Sequence, residues 1–335
     1  MFNSMLILVI VVILLSVTFD FINGFHDTAN SIATVVSTRV LSPRAAIMMA
    51  MCLNFLGAFV NQNVAATVAK GIIDSNLINQ YVIIAALLSA IIWNIATWYL
   101  GIPSSSSHAL FGGMIGAAIV FTNGFSVVNW TGVLHKIIIP LFTSPAIGII
   151  LGFLFMKFLY LVLRPFTPTG INKVFSKLQI LSAALMAFSH GNNDAQKSMG
   201  IITLALVAAN MHGAHQGVPL WVIIICAVAM AAGTSIGGWK IIKTMGVSMI
   251  RLAPINGFAA ETASAVVIHF MSAIGAPVST TQIISTTIMG VGAAKRVSSV
   301  KWALARSIVL AWVVTIPASA AMGALLMFGF KLIVG

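Results

Sequence analysis

Apolar residues run along this 335-residue chain in twelve stretches separated by short polar breaks. Six fall in the first half, at 5–22, 27–37, 44–62, 81–100, 104–122 and 137–163. Six fall in the second, at 178–190, 194–209, 219–238, 257–275, 279–294 and 303–332. The longer ones reach the roughly 20 residues that a membrane-spanning helix needs. The order of features is the same in both halves: a stretch, a Gly-x-x-Asp break, a short stretch, two long ones, a Pro-Ser/Thr turn, a short stretch and a long one. Asp27 and Asp194 are 167 residues apart, and Pro103 and Pro277 are 174 apart. The pattern predicts an internal repeat, 1–163 and 178–335, joined by a cytoplasmic linker at 164–177.

Composition places this repeat in a membrane. The chain is 60% hydrophobic and 7% charged, with a mean hydropathy of +1.08, whereas soluble domains carry about 25% charged residues. The first stretch has no basic leader and is followed by Asp20 and Asn23, so it reads as a first span, not a cleaved signal. Cys52 and Cys226 lie inside apolar runs with no disulfide or metal spacing.

A net charge of +12 suggests nucleic acid until the positions are read. The basic residues sit in short loops, the positive-inside pattern of a membrane protein. Arg39 and Arg44, then Arg164, Lys173 and Lys177, then Lys240, Lys243 and Arg251, then Lys295, Arg296 and Lys301 mark four cytoplasmic loops. The loop at 63–80, where Asp74 offsets Lys70, and the uncharged loop at 210–218 fall outside. This closes if the two stretches around each aspartate cross once together, as a broken helix or an equivalent hairpin. The expected architecture is an all-α polytopic membrane protein of two inverted five-crossing repeats. It has about 10 full crossings, 12 helical segments, broken or re-entrant half-helices, and both termini outside.

Five acids occur in the chain: Asp20, Asp27, Asp74, Asp194 and Glu261. A carboxylate at bilayer depth costs on the order of 2.5 kcal/mol or more, so it faces a cavity, pairs or titrates. Asp27 and Asp194 sit at the expected helix breaks, as functional acids or as N-caps of the short helices that follow. Asp74 reads as a solvated loop residue and Asp20 as a structural contact. Glu261 is open between a role in the site and a structural pair. The second motif places Ser104, Ser105, Ser106 and Ser107 after Pro103, and Ser279, Thr280 and Thr281 after Pro277. Hydroxyls and free N–H groups at a helix start suit an oxyanion. Helix capping and close packing of small residues are the bland alternative.

Lys197 stands where the first half has Asn30. It lies three residues after Asp194, on the same helix face. It can pair with that acid, contact a substrate or stand where a cation would bind. His26 and His108 flank the motifs as candidate proton carriers or as structural hydrogen-bonding groups.

These segments resemble the inorganic phosphate transporter (Pit) family, over essentially the full length. The first family motif becomes Asn23-Gly-Phe-His26-Asp27-Thr-Ala-Asn30 and Ser189-His190-Gly-Asn-Asn193-Asp194-Ala-Gln196-Lys197. The second becomes Pro103-Ser-Ser-Ser-Ser-His108 and Pro277-Val-Ser279-Thr280-Thr281-Gln282. His26 with Gln196-Lys197 looks like the bacterial low-affinity branch, which implies an inner-membrane location. The resemblance implies symport of inorganic phosphate with a cation, no cofactor, and a homodimer by analogy. Asn193, Lys197 and the Ser/Thr turns fall to phosphate. Asp27, Asn30, Asp194, Asn23, Glu261, His26 and His108 fall to coupling, with sodium allowed at Asp27, Asn30 and Asp194. The bacterial branch is associated with proton coupling and with a metal–phosphate complex as the carried species, and a fixed lysine argues against a full sodium set. No motif pairs a nucleophile with a base, so an enzyme is not expected. An anion channel and a sulfate carrier remain the rival readings.

Overall fold

The two Pro-Ser/Thr turns set the geometry of the interior. Helix α4 (Gln80–Leu100) ends at Gly101, whose φ of 69° closes the helix in the left-handed region that favours glycine. Pro103 then keeps the chain extended until α5 (Ser106–Thr122) starts. The second copy repeats this. Helix α11 (Pro254–Ala273) is followed by Gly275 at φ 74°, then Pro277 and the start of α12 (Thr280–Lys295). In the computed structural model, which describes residues 2–70, 78–213 and 216–334, the other helices are arranged around these two turns.

Before the first turn come α1 (Phe2–Ser37), α2 (Pro43–Gly57) and α3 (Asn63–Lys70). After it, α6 (Trp130–Val133) passes through a π turn, Leu134–Ile138, into α7 (Ile139–Val162). The second half has α8 (Pro168–Ala208), α9 (Leu220–Ile236), α10 (Trp239–Lys243) and, at its end, α13 (Trp302–Val334). Among the described residues, four helices are long and apolar enough to cross a membrane, and α9 with the segment Trp239–Ser248, bent by 64°, would make a fifth. Many polar side chains share the interior with three apolar clusters, while Phe142, Leu154, Phe158, Leu310, Val313 and Leu325 are exposed. Polar inside and apolar outside is the arrangement that a lipid solvent selects.

Three expectations change. The chain is not broken at the aspartates: α1 and α8 run straight through Asp27 and Asp194. At 1.5 Å per residue they are roughly 54 and 61 Å long, so each aspartate lies mid-helix and caps nothing. The physical reason lies in Gly24 and Gly191. A Cβ on Gly24 would strike the backbone of Met230 in α9, and one on Gly191 the backbone of Asn54 in α2. These glycines permit close crossings and do not act as hinges. The expected linker is also mostly helix, because α8 starts at Pro168 with Thr167 as its cap. Helix α3 occupies the start of the loop expected at 63–80, and Asp74 lies outside the described residues.

Packing between the halves is reciprocal. Helix α5 packs on α13 and α12 on α7; α1 packs on α9 and α8 on α2. The close contacts recur in matched places. Gly24 meets α9, and Gly233 of α9 meets Phe21; Gly191 meets α2, and Gly57 of α2 meets Phe188. Gly116 meets Ala320, and Gly290 meets Ile149. Valine at Gly233 should therefore force α1 and α9 apart, at a cost of about 1–3 kcal/mol. The melting midpoint in detergent should fall, whereas Gly329→Val, with nothing within 4 Å, should leave it unchanged. Equal midpoints would remove the crossing as a packing constraint.

Candidate functional site

Two long helices bring the acids together. One oxygen of Asp27, one of Asp194 and a ring nitrogen of His190 all lie within 4.8 Å of one another. All three residues are buried. Such proximity is costly for two carboxylates, and the surrounding groups offset it.

The tip of α12 bridges the two acids. Thr280 Oγ1 donates to Asp194 Oδ2 at 3.0 Å, and Thr281 Oγ1 donates to Asp27 Oδ1 at 3.2 Å. Asn30 Nδ2 donates to both threonines, at 3.3 and 2.9 Å. The tip of α5 contributes Ser106, whose hydroxyl donates to Asp27 Oδ2 at 3.5 Å. Ser105 and Ser279 cap the two helices, each accepting a backbone N–H at 3.3 Å. Both helix starts therefore bring side-chain hydroxyls to the acid pair. Ser107 is buried in the first turn of α5.

The two copies then diverge. Lys197 is 1% exposed. Its Nζ is paired to Asp194 Oδ1 and donates to the Val278 carbonyl at 3.2 Å. His190 Nε2 lies 3.1 Å from Asp194 Oδ2, and its Nδ1 lies 3.0 Å from Asn54 Oδ1. Both oxygens of Asp194 are thus engaged. In the first half, His26 Nδ1 sits 2.7 Å from Asp27 Oδ1, and its Nε2 is 3.1 Å from Thr97 Oγ1 and 3.4 Å from Ser104 Oγ. Asn30 Oδ1 has no hydrogen-bond partner among the described residues. With the histidines neutral, two carboxylates and one ammonium leave a net charge of −1. A buried anion added to that requires further positive charge.

Not every candidate joins this centre. Glu261 is fully buried in a separate cluster, accepting from Thr34 of α1 and Ser182 of α8, with Gln179 Nε2 at 3.4 Å. It therefore does not snorkel to the surface. Asn193 turns its amide to Ser272 Oγ at 2.8 Å. Asn23 and the Nδ1 of His108 are buried without hydrogen-bond partners among the described residues. Asp20 accepts from Ser198 at 2.6 Å, a structural contact between α1 and α8. Gln196 Oε1 accepts from the N–H groups of Val64 and Ala65 at 2.9 and 3.1 Å, capping α3. His190 and its partner Asn54 had not been assigned to the site. The available signal was the i,i+4 spacing of His190 and Asp194; Asn54 carries no such mark.

A family profile described as the phosphate transporter family matches residues 23–323. A probable low-affinity inorganic phosphate transporter of Bacillus subtilis is 48% identical over 333 residues, covering 99% of each chain. One of Rhizobium meliloti is 47% identical over 327 residues, covering 97% of each. A solved structure described as the sodium-dependent phosphate transporter superposes with a TM-score of 0.87. It is 24% identical and covers 97% of this chain and 99% of its own.

Proposed function

Since the chain belongs to the phosphate transporter family, we propose that it is a secondary active transporter moving inorganic phosphate through the bacterial inner membrane by cation-coupled alternating access. The observation that carries the reading is the convergence of Asp27 and Asp194 beneath the hydroxyl-bearing tips of α5 and α12. The hydroxyls that donate to the carboxylates can turn to phosphate oxygens when the carboxylates receive a cation or proton. Lys197 stands beside them on Asp194, whereas the Asn193 amide faces Ser272. Binding of anion and cation is thereby linked, because either alone leaves buried charge unbalanced. Free phosphate and a metal–phosphate complex both fit this scheme.

The architecture that goes with it is two inverted repeats of five crossings, 1–163 and 178–335, with both termini outside. The reciprocal helix pairs and matched glycine crossings support it. Each aspartate-bearing helix crosses once, which the charge pattern of the loops requires. Substrate at the repeat interface near mid-membrane is the common solution for such carriers.

Protons are favoured over sodium because the Lys197 ammonium already occupies Asp194. A sodium ion needs oxygen ligands, and both oxygens of Asp194 are engaged. Sodium coupling is the second reading, favoured by one observation: Asn30 Oδ1, beside Asp27, is an unpaired acceptor. The test is phosphate uptake into proteoliposomes under an imposed proton or sodium gradient, with and without magnesium. Uptake should follow the proton gradient and exceed that of sulfate, which has no proton to donate to a carboxylate near neutral pH. In Lys197→Asn, uptake should acquire sodium dependence. Wild-type uptake driven by sodium alone would overturn the proton reading, and unchanged ion dependence in the variant would show that the lysine does not exclude sodium.

A further inference from the structure

One helix length from the acids, the far end of α12 borders a recess of about 1080 Å³. Arg164, Arg251, Lys295 and Lys301 line it, with Asn172 and Asn256 between them. All four cations are exposed. Along α12 the lining residues Val291, Gly292 and Lys295 are roughly 17 to 23 Å from the Thr280 tip, so this is a separate place.

The charge of the recess has no counterpart among the described residues. No acid lines it. The four acids among the described residues, Asp20, Asp27, Asp194 and Glu261, are all buried in the interior. None of the four basic side chains makes an ion pair or hydrogen bond with another described residue. Basic loops facing the cytoplasm are ordinary in a membrane protein, but four such residues around a concave space are not explained by that rule. Pockets of roughly 300–1,000 Å³ enclose ligands of drug size, well above a single small anion. One wall is apolar, with Leu163 and Leu252.

We propose that this recess binds a phosphate-bearing anion at the membrane surface, held by Arg251, Lys295, Lys301 and Arg164. Its size and its mixed wall fit the headgroup and glycerol of an anionic phospholipid; free inorganic phosphate presents the same chemistry. A basic pocket between helix ends is the usual form of headgroup recognition. The cytoplasmic placement rests on the topology proposed above. Binding itself does not, and it is measured without transport, so the two can fail separately.

The experiment uses the full chain, purified and delipidated, then exposed to mixed phosphatidylglycerol and phosphatidylcholine and read by native mass spectrometry. Wild type should retain phosphatidylglycerol selectively. Arg251→Gln with Lys295→Gln should weaken that retention about 30-fold, from two surface charges. Lys177→Gln, a basic residue outside the recess, should not. Arg251→Lys with Lys295→Arg keeps the charge and should keep the lipid. In a second arm, excess inorganic phosphate competes with the lipid: displacement assigns the recess to the free anion, and retention assigns it to the headgroup. Equal retention by wild type and the double glutamine variant overturns the proposal, as does loss of lipid in the charge-preserving variant.

Discussion

Asp27→Asn lowers phosphate counterflow by about two orders of magnitude, from the loss of a charge-assisted contact, while the protein still folds. The side chain is isosteric, and its amide oxygen can still accept from Thr281 or Ser106. No buried lysine depends on Asp27. What disappears is the negative charge that receives the coupling cation, so the site no longer gains by taking anion and cation together. The measurement is exchange of labelled phosphate across proteoliposomes, with reconstituted protein quantified in parallel. Counterflow at the wild-type rate would remove Asp27 from the coupling machinery. A phosphate conductance that survives the change would instead favour an anion channel, which has no use for paired carboxylates beside its permeant ion.

Asp194→Asn gives a different failure. Lys197 keeps its ammonium in a buried place with its counter-ion gone, which costs about 3–5 kcal/mol. The remaining contact, to the Val278 carbonyl, does not balance the charge. Yield and melting midpoint in detergent should fall sharply, before transport is considered. Combining it with Lys197→Asn removes both charges and should recover most of the lost stability while transport stays low. Two equivalent acids thus part company: one is needed for function, the other for function and for folding. If Asp194→Asn melts with wild type, the pair is not what holds Lys197 inside.

Much of this site was legible in the chain. Polar groups in an apolar sequence have few places to go, so duplicated acids and duplicated hydroxyl turns had to meet. The glycine after each long helix and the proline before each short one marked where α5 and α12 begin. Gly24 and Gly191 were misread because a glycine in a polar island has two meanings, a break or a close crossing. The difference lies in Met230 and Asn54, more than a hundred residues away. Separation along the chain, by 79 residues or more, also hid His190's partner Asn54 and the Thr34 and Ser182 hydroxyls on Glu261. Nothing local distinguishes those residues from their neighbours.

The exchange of outer helices between halves bears on how the protein is made. Gly112 and Gly116 on α5 are shaped for the backbone of α13, a helix that leaves the ribosome about two hundred residues after α5. Until then that face of α5 has no partner, and the first half waits in the membrane incompletely assembled. Truncating the final thirty residues would therefore unseat a helix tip two hundred residues upstream.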